Sequence, residues 1–142
     1  MYRVLASVML GLLLLSGALT SQAQTTRKQG RQLEQIQYAY SSAIRWGEFE
    51  EAWQLVDPEY RKANPMSELA FERYRQVQVS GYDERTSEAG ADGSVLRNVD
   101  LRVINRHTMA ERSLRYREQW RWDPAAKRWW LAAGLPDFWN GE

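Results

Sequence analysis

Residues 114–122 read Leu-Arg-Tyr-Arg-Glu-Gln-Trp-Arg-Trp, and their alternation decides the fold. Successive side chains of a strand point to opposite faces. Leu114, Tyr116, Trp120 and Trp122 therefore share one face, while Arg115, Arg117, Gln119 and Arg121 share the other. Such a run describes a half-buried antiparallel strand with one wet side. Glu118 has the parity of the apolar set, so a carboxylate is aimed at the core. It needs a partner there, because an isolated buried charge is too costly.

The same period extends in both directions. Upstream, Val99, Leu101 and Val103 alternate with Asn98, Asp100 and Arg102. Arg97 bears the same relation to Val99 that Glu118 bears to Trp120, which makes it the candidate partner. A further strand over 76–85 holds Val77 and Val79, with Gly81 marking a bulge or bend. Residues 88–94, with Gly90 and Asp92-Gly93, form a turn, and 105–111 make the next connection. Downstream, Asp123-Pro124-Ala125-Ala126-Lys127 is a turn and 128–133 a last strand. Gly134-Leu135-Pro136 ends it, and Leu135, Phe138 and Trp139 form an apolar hook. Trp129 and Trp130 are adjacent in a strand and face opposite sides. One of them must lie on the outer face or under the hook.

The first half of the chain has a helical period. Leu33, Ile36, Tyr40 and Ile44, with Ala43, share one face from residue 31, and Gly47 stops the helix. Phe49, Ala52, Trp53 and Val56 form a second stripe, ended by Asp57-Pro58. Asn64-Pro65 opens a third helix, with Asn as cap and Pro at the first position. Helices grouped ahead of a meander define an α+β fold. Two or three helices are expected on the concave face of a curved antiparallel sheet of about four strands.

Residues 1–23 have the order of an export signal: Arg3, an apolar run from Val4 to Leu15, then small residues at Ser21 and Ala23. The run is too short for a spanning helix, which needs roughly 20 apolar residues. No cysteine is present for a lipid anchor at the cut. The expected organisation is a signal at 1–23, a flexible lead-in at 24–30 and one domain at 31–142, with no stable membrane span after processing. Cutting 23 residues from 142 leaves 119, the size of one ordinary domain. Losing Arg3 leaves 18 basic residues against 18 acidic ones. That balance disfavours nucleic acid as a partner. Seven Trp and seven Tyr imply a heavily aromatic core or a lined cavity.

Two stretches carry a resemblance. Trp-Gly-Glu-Phe-Glu-Glu-Ala-Trp-Gln-Leu-Val-Asp-Pro at 46–58 and Trp-Asp-Pro-Ala-Ala-Lys-Arg-Trp-Trp-Leu at 122–131 resemble the nuclear-transport-factor-two-like superfamily. This is the cone-shaped fold of ketosteroid isomerase and scytalone dehydratase. The resemblance implies a long and a short helix closing the concave side of the sheet, and a non-catalytic exported member. Enzymes of that superfamily place a set of Asp, His or Tyr in the cone, and no position here matches such a set. The one histidine, His107, falls in a connecting loop.

The candidate pocket consists of Tyr40, Trp53, Tyr74, Tyr116, Glu118 and Trp120. No metal ligands cluster, no phosphate loop or nucleophile set exists, and no cofactor is expected. Three functions compete. The first is an exported, periplasmic or secreted, non-catalytic domain binding an envelope protein or a small apolar ligand, with a possible homodimer through the sheet. The second is a lyase or isomerase with Glu118 as general base, supported by Tyr40, Tyr116 or Tyr74. The third is a glycan-binding module using exposed Trp. Arg115, Arg117 and Arg121, with Arg102 beside them, form a cationic ladder on the opposite face. It reads first as a solvated surface paired with acids such as Asp100. Mass spectrometry of the exported protein is expected to give an N-terminus close to Gln24; an intact Met1 in the envelope fraction would rule the cut out.

Overall fold

A computed structural model describes residues 19–140 of the chain. Residues 1–18, most of the expected export signal, lie outside them. Four helices precede four strands: α1 Leu19–Trp46, α2 Phe49–Gln54, α3 Pro58–Ala63, α4 Glu68–Arg75, β1 Val77–Ala89, β2 Val95–Asn105, β3 Glu111–Asp123 and β4 Arg128–Leu131. The strands form one antiparallel sheet in the order β1-β2-β3-β4. The fold is α+β, with a curved, unclosed sheet. The chain divides into two units at residue 31. The described part of the first is helical, and the second contains the sheet. Among the described residues no helix is long and apolar enough to cross a membrane.

Several boundaries differ from the sequence reading. The lead-in expected at 24–30 is helical, because α1 starts at Leu19. Gly30 costs a helix about 1 kcal/mol, which is too little to break one this long. α2 already ends at Gln54, and the Asp57-Pro58 pair starts the next helix. Asp57 caps α3 by accepting from the Glu59 N–H at 3.0 Å, with Pro58 at the first position. This is the capping arrangement expected one step later at Asn64-Pro65. Asn64 instead closes α3. Ser67 caps α4, its hydroxyl accepting from the Ala70 N–H at 3.1 Å. Gly47 has a φ of 75° just past α1, a left-handed turn that a side chain would strain.

The buried face of α1 brings Leu33, Tyr40, Ala43 and Ile44 into one core with Phe49, Ala52, Val56, Val99, Leu101, Trp120 and Leu131. Tyr40 meets Trp120 edge-on, ring centroids 5.6 Å apart. Outward-pointing Arg115 and Arg117 are exposed, while Trp120 has no exposed surface. The hook packs against side chains of α2 and α4. Phe138 packs on Phe49 and Tyr74, and Trp139 lies between Tyr74 and the Arg73 guanidinium. Of the adjacent pair, Trp129 turns inward onto Trp122. Trp130 turns outward and is covered by the Arg128 guanidinium, 3.6 Å from its ring centre.

The β4 edge is closed by the loop between α2 and α3. Leu131 donates to the Leu55 carbonyl at 3.0 Å, and its own carbonyl accepts from the Asp57 N–H at 2.8 Å. The Asp57 carboxylate also holds the Arg121 guanidinium of β3. That bond, with the one from Glu59, keeps the carboxyl below the usual Asp range.

Trp120→Ala is expected to lose about 3–5 kcal/mol in denaturant melts, and Arg117→Ala under about 1 kcal/mol. The reverse order would mean that the faces are exchanged. The depressed Asp57 acid gives a second expectation. Its stabilisation is fully present above the unfolded value of about 4 and disappears as pH falls through the lower folded value. Asp57→Asn preserves the cap but not the ion pair. Wild type should therefore be the more stable at about pH 6, and the gap should close towards pH 2. A gap independent of pH would show that the pair contributes nothing.

Candidate functional site

The inner face of the sheet places Glu118 at its centre, with none of its surface exposed. β2 and β3 are in a register that sets Arg97 directly opposite. Arg97 is 6% exposed and grips both carboxylate oxygens, Nε to Oε2 at 2.8 Å and Nη2 to Oε1 at 2.9 Å. Trp120, two residues along β3, donates its indole N–H to Oε2 at 2.7 Å. Tyr82 of β1 donates its hydroxyl to Oε1. Four donors therefore converge on two oxygens, which fills an ionised carboxylate's capacity to accept.

Burial pushes the Glu118 carboxyl up, to about 8, while the Trp120 hydrogen bond pulls it back. The two-point grip of Arg97 favours the ion, and because all four groups around the oxygens donate, leaving no acceptor for a carboxylic O–H, the group is held as the carboxylate. Burial also pulls the Arg97 guanidinium down. Glu84, whose carboxylate lies 3.4 Å from Nη1, works against that shift.

A second layer joins the sheet to α1. The Tyr40 and Tyr116 hydroxyls are 2.8 Å apart, and Tyr116 donates to the Gly134 carbonyl at 3.2 Å. Burial raises both phenols above their ordinary value. Tyr40, Tyr116, Glu118 and Trp120 of the expected pocket are thus brought together. Trp53 and Tyr74 belong to other aromatic groups. Trp53 meets Tyr60 edge-on at 6.2 Å. Tyr74 lies among Phe49, Phe138 and Trp139 and donates to the Pro136 carbonyl at 2.9 Å.

The tyrosine that serves Glu118 is Tyr82, not Tyr40, Tyr116 or Tyr74. A signal for it exists in the sequence. Val77 and Val79 face inward, and the register shifts between Val79 and Gly81. One extra residue reverses the parity, so Tyr82 and Glu84 point where odd positions pointed before. A second shift, between Glu84 and Thr86, has no glycine to announce it.

The tryptophans do not form a platform. Trp120, Trp129 and Trp130 are buried, and the strongly exposed Trp46 stands at the end of α1. His107 is exposed in the β2–β3 loop, against Gln76. Among the described residues, no three His, Asp or Glu side chains gather as metal ligands. Compared with protein-family models, curated proteins and solved structures, the chain matches none.

Proposed function

We propose that the mature domain is an exported, non-catalytic binding module of the cell envelope, on the cone plan of the nuclear-transport-factor-two-like superfamily. The observation that carries this reading is the saturation of Glu118. A general base must present a free lone pair to its substrate. Here Arg97, Tyr82 and Trp120 occupy both oxygens. The carboxylate serves as the internal anchor of the sheet. Of the two expected ligand classes, a protein partner fits better than a small apolar molecule, because Tyr40, Trp53, Tyr74 and Trp120 are spent on contacts within the chain. Export rests on the pattern of residues 1–23.

The runner-up is a lyase or isomerase working through Glu118. Its support is the upward push on that carboxyl to about 8, where a group can exchange protons near neutrality.

One experiment separates the two. Wild type and Glu118→Gln are melted side by side, and both are incubated with enol- and carbonyl-type substrates. The expected result is a loss of about 3–5 kcal/mol, because the buried Arg97 loses its two-point partner and keeps only the longer contact to Glu84, and no turnover by either protein. A variant as stable as wild type that abolishes a wild-type turnover would establish the enzyme instead.

A further inference from the structure

The outer face of the sheet carries two adjoining grooves. One, of about 540 Å³, is lined by Asp83, Arg85, Asp100, Arg102 and Arg115. The other, of about 580 Å³, shares Arg85, Asp100 and Arg115 and adds Arg117. Four arginines thus face two aspartates, and the aspartates are already engaged. Asp100 stands opposite Arg115 in the register, yet its carboxylate takes the Arg85 Nε–H at 2.6 Å. Asp83 pairs with Arg102 at 3.7 Å. Arg102 can lie there because Gly81 has no side chain; a Cβ at that position would overlap the guanidinium. Arg117 stands opposite Asn98, whose amide donates to Thr86 Oγ1 at 2.8 Å. Arg115 and Arg117 are left exposed, and among the described residues no carboxylate lies within ion-pairing distance of them.

From this arrangement we infer that the outer face docks an extended acidic segment of a partner protein, one whose Glu or Asp residues alternate with neutral ones. The inference rests on the binding-module reading and identifies its surface. Arg115 and Arg117 are two residues apart on one strand, so their Cα atoms repeat at about 7 Å. Alternate side chains of an extended peptide have the same repeat. A guanidinium fork takes a carboxylate through two parallel hydrogen bonds. Asp83 and Asp100 on the same grooves repel a chain that is anionic at every unit, such as an acidic glycan. A second copy of this protein offers the same cationic excess and is repelled as well.

The probe is a labelled peptide with Glu at alternate positions between Ser residues, with a Gln-for-Glu control, read by fluorescence anisotropy against the mature protein. The Glu peptide should bind on the order of tenfold more tightly than the control. Arg115→Ala with Arg117→Ala should remove that preference, because two exposed ion pairs are worth about that factor. The melt of the double variant should match wild type, and added salt should weaken wild-type binding. Equal binding of the two peptides, or full binding by the double variant, would overturn the inference. So would tighter binding of an anionic glycan, or a wild-type dimer that the double substitution dissociates. Each of these outcomes leaves the saturation of Glu118 as it stands. Conversely, Glu118-dependent turnover would remove the binding-module reading without altering this peptide assay.

Discussion

A carboxylate with no exposed surface lies at the centre of the sheet, and the surrounding strands are positioned to supply its hydrogen bonds. Removing Glu118 from water is tolerable only because Arg97, Tyr82 and Trp120 replace the solvent. Those donors come from β2, β1 and β3. The site therefore ties three strands into one register. A slip of one residue between β2 and β3 would carry Glu118 to the outer face and take from the buried Arg97 its two-point partner. An apolar core tolerates small shifts in packing, whereas a buried ion pair does not. The bulge at Gly81 belongs to the same constraint, since it turns Tyr82 inward.

The helices are tied to this centre through Tyr40. Its ring sits edge-on to Trp120 and its hydroxyl meets that of Tyr116, which reaches the Gly134 carbonyl beyond β4. At the other edge, Asp57 performs three tasks from one residue. It caps α3, donates its N–H to Leu131 and holds Arg121 of β3. Glu118, Arg97, Tyr40, Tyr116 and Asp57 are thereby committed to the fold. Arg115 and Arg117 stand exposed on the opposite face of the sheet.

Much of this was legible from residue order. The alternation over 114–122 set which face of β3 is buried, and placed Glu118 and Arg97 on it together. The order of helices and strands established the α+β class. Local rules were less reliable where two elements competed for one signal. Asp57-Pro58 reads as the end of α2 and serves as the start of α3, because a proline that cannot continue one helix is well placed to open the next. The strand β1 runs on to Ala89 through residues with no apolar alternation. Pairing with 95–98 of β2 holds it, and such pairing cannot be read from one strand alone.

By itself the sequence determined the side of the sheet on which each β3 residue lies, because strand parity is a local property of the backbone. It also required that the inward carboxylate find a partner, because the cost of an unpaired buried charge does not depend on the fold. Only the tertiary structure decided which partners are used and which are left over. Tyr82 serves Glu118 because a bulge reverses the parity of β1. Asp100 serves Arg85 rather than Arg115, the residue opposite it. Parity assigns faces one strand at a time. Pairing among ionic side chains depends on the register of three strands at once, and that register is fixed only when those strands have paired around Glu118.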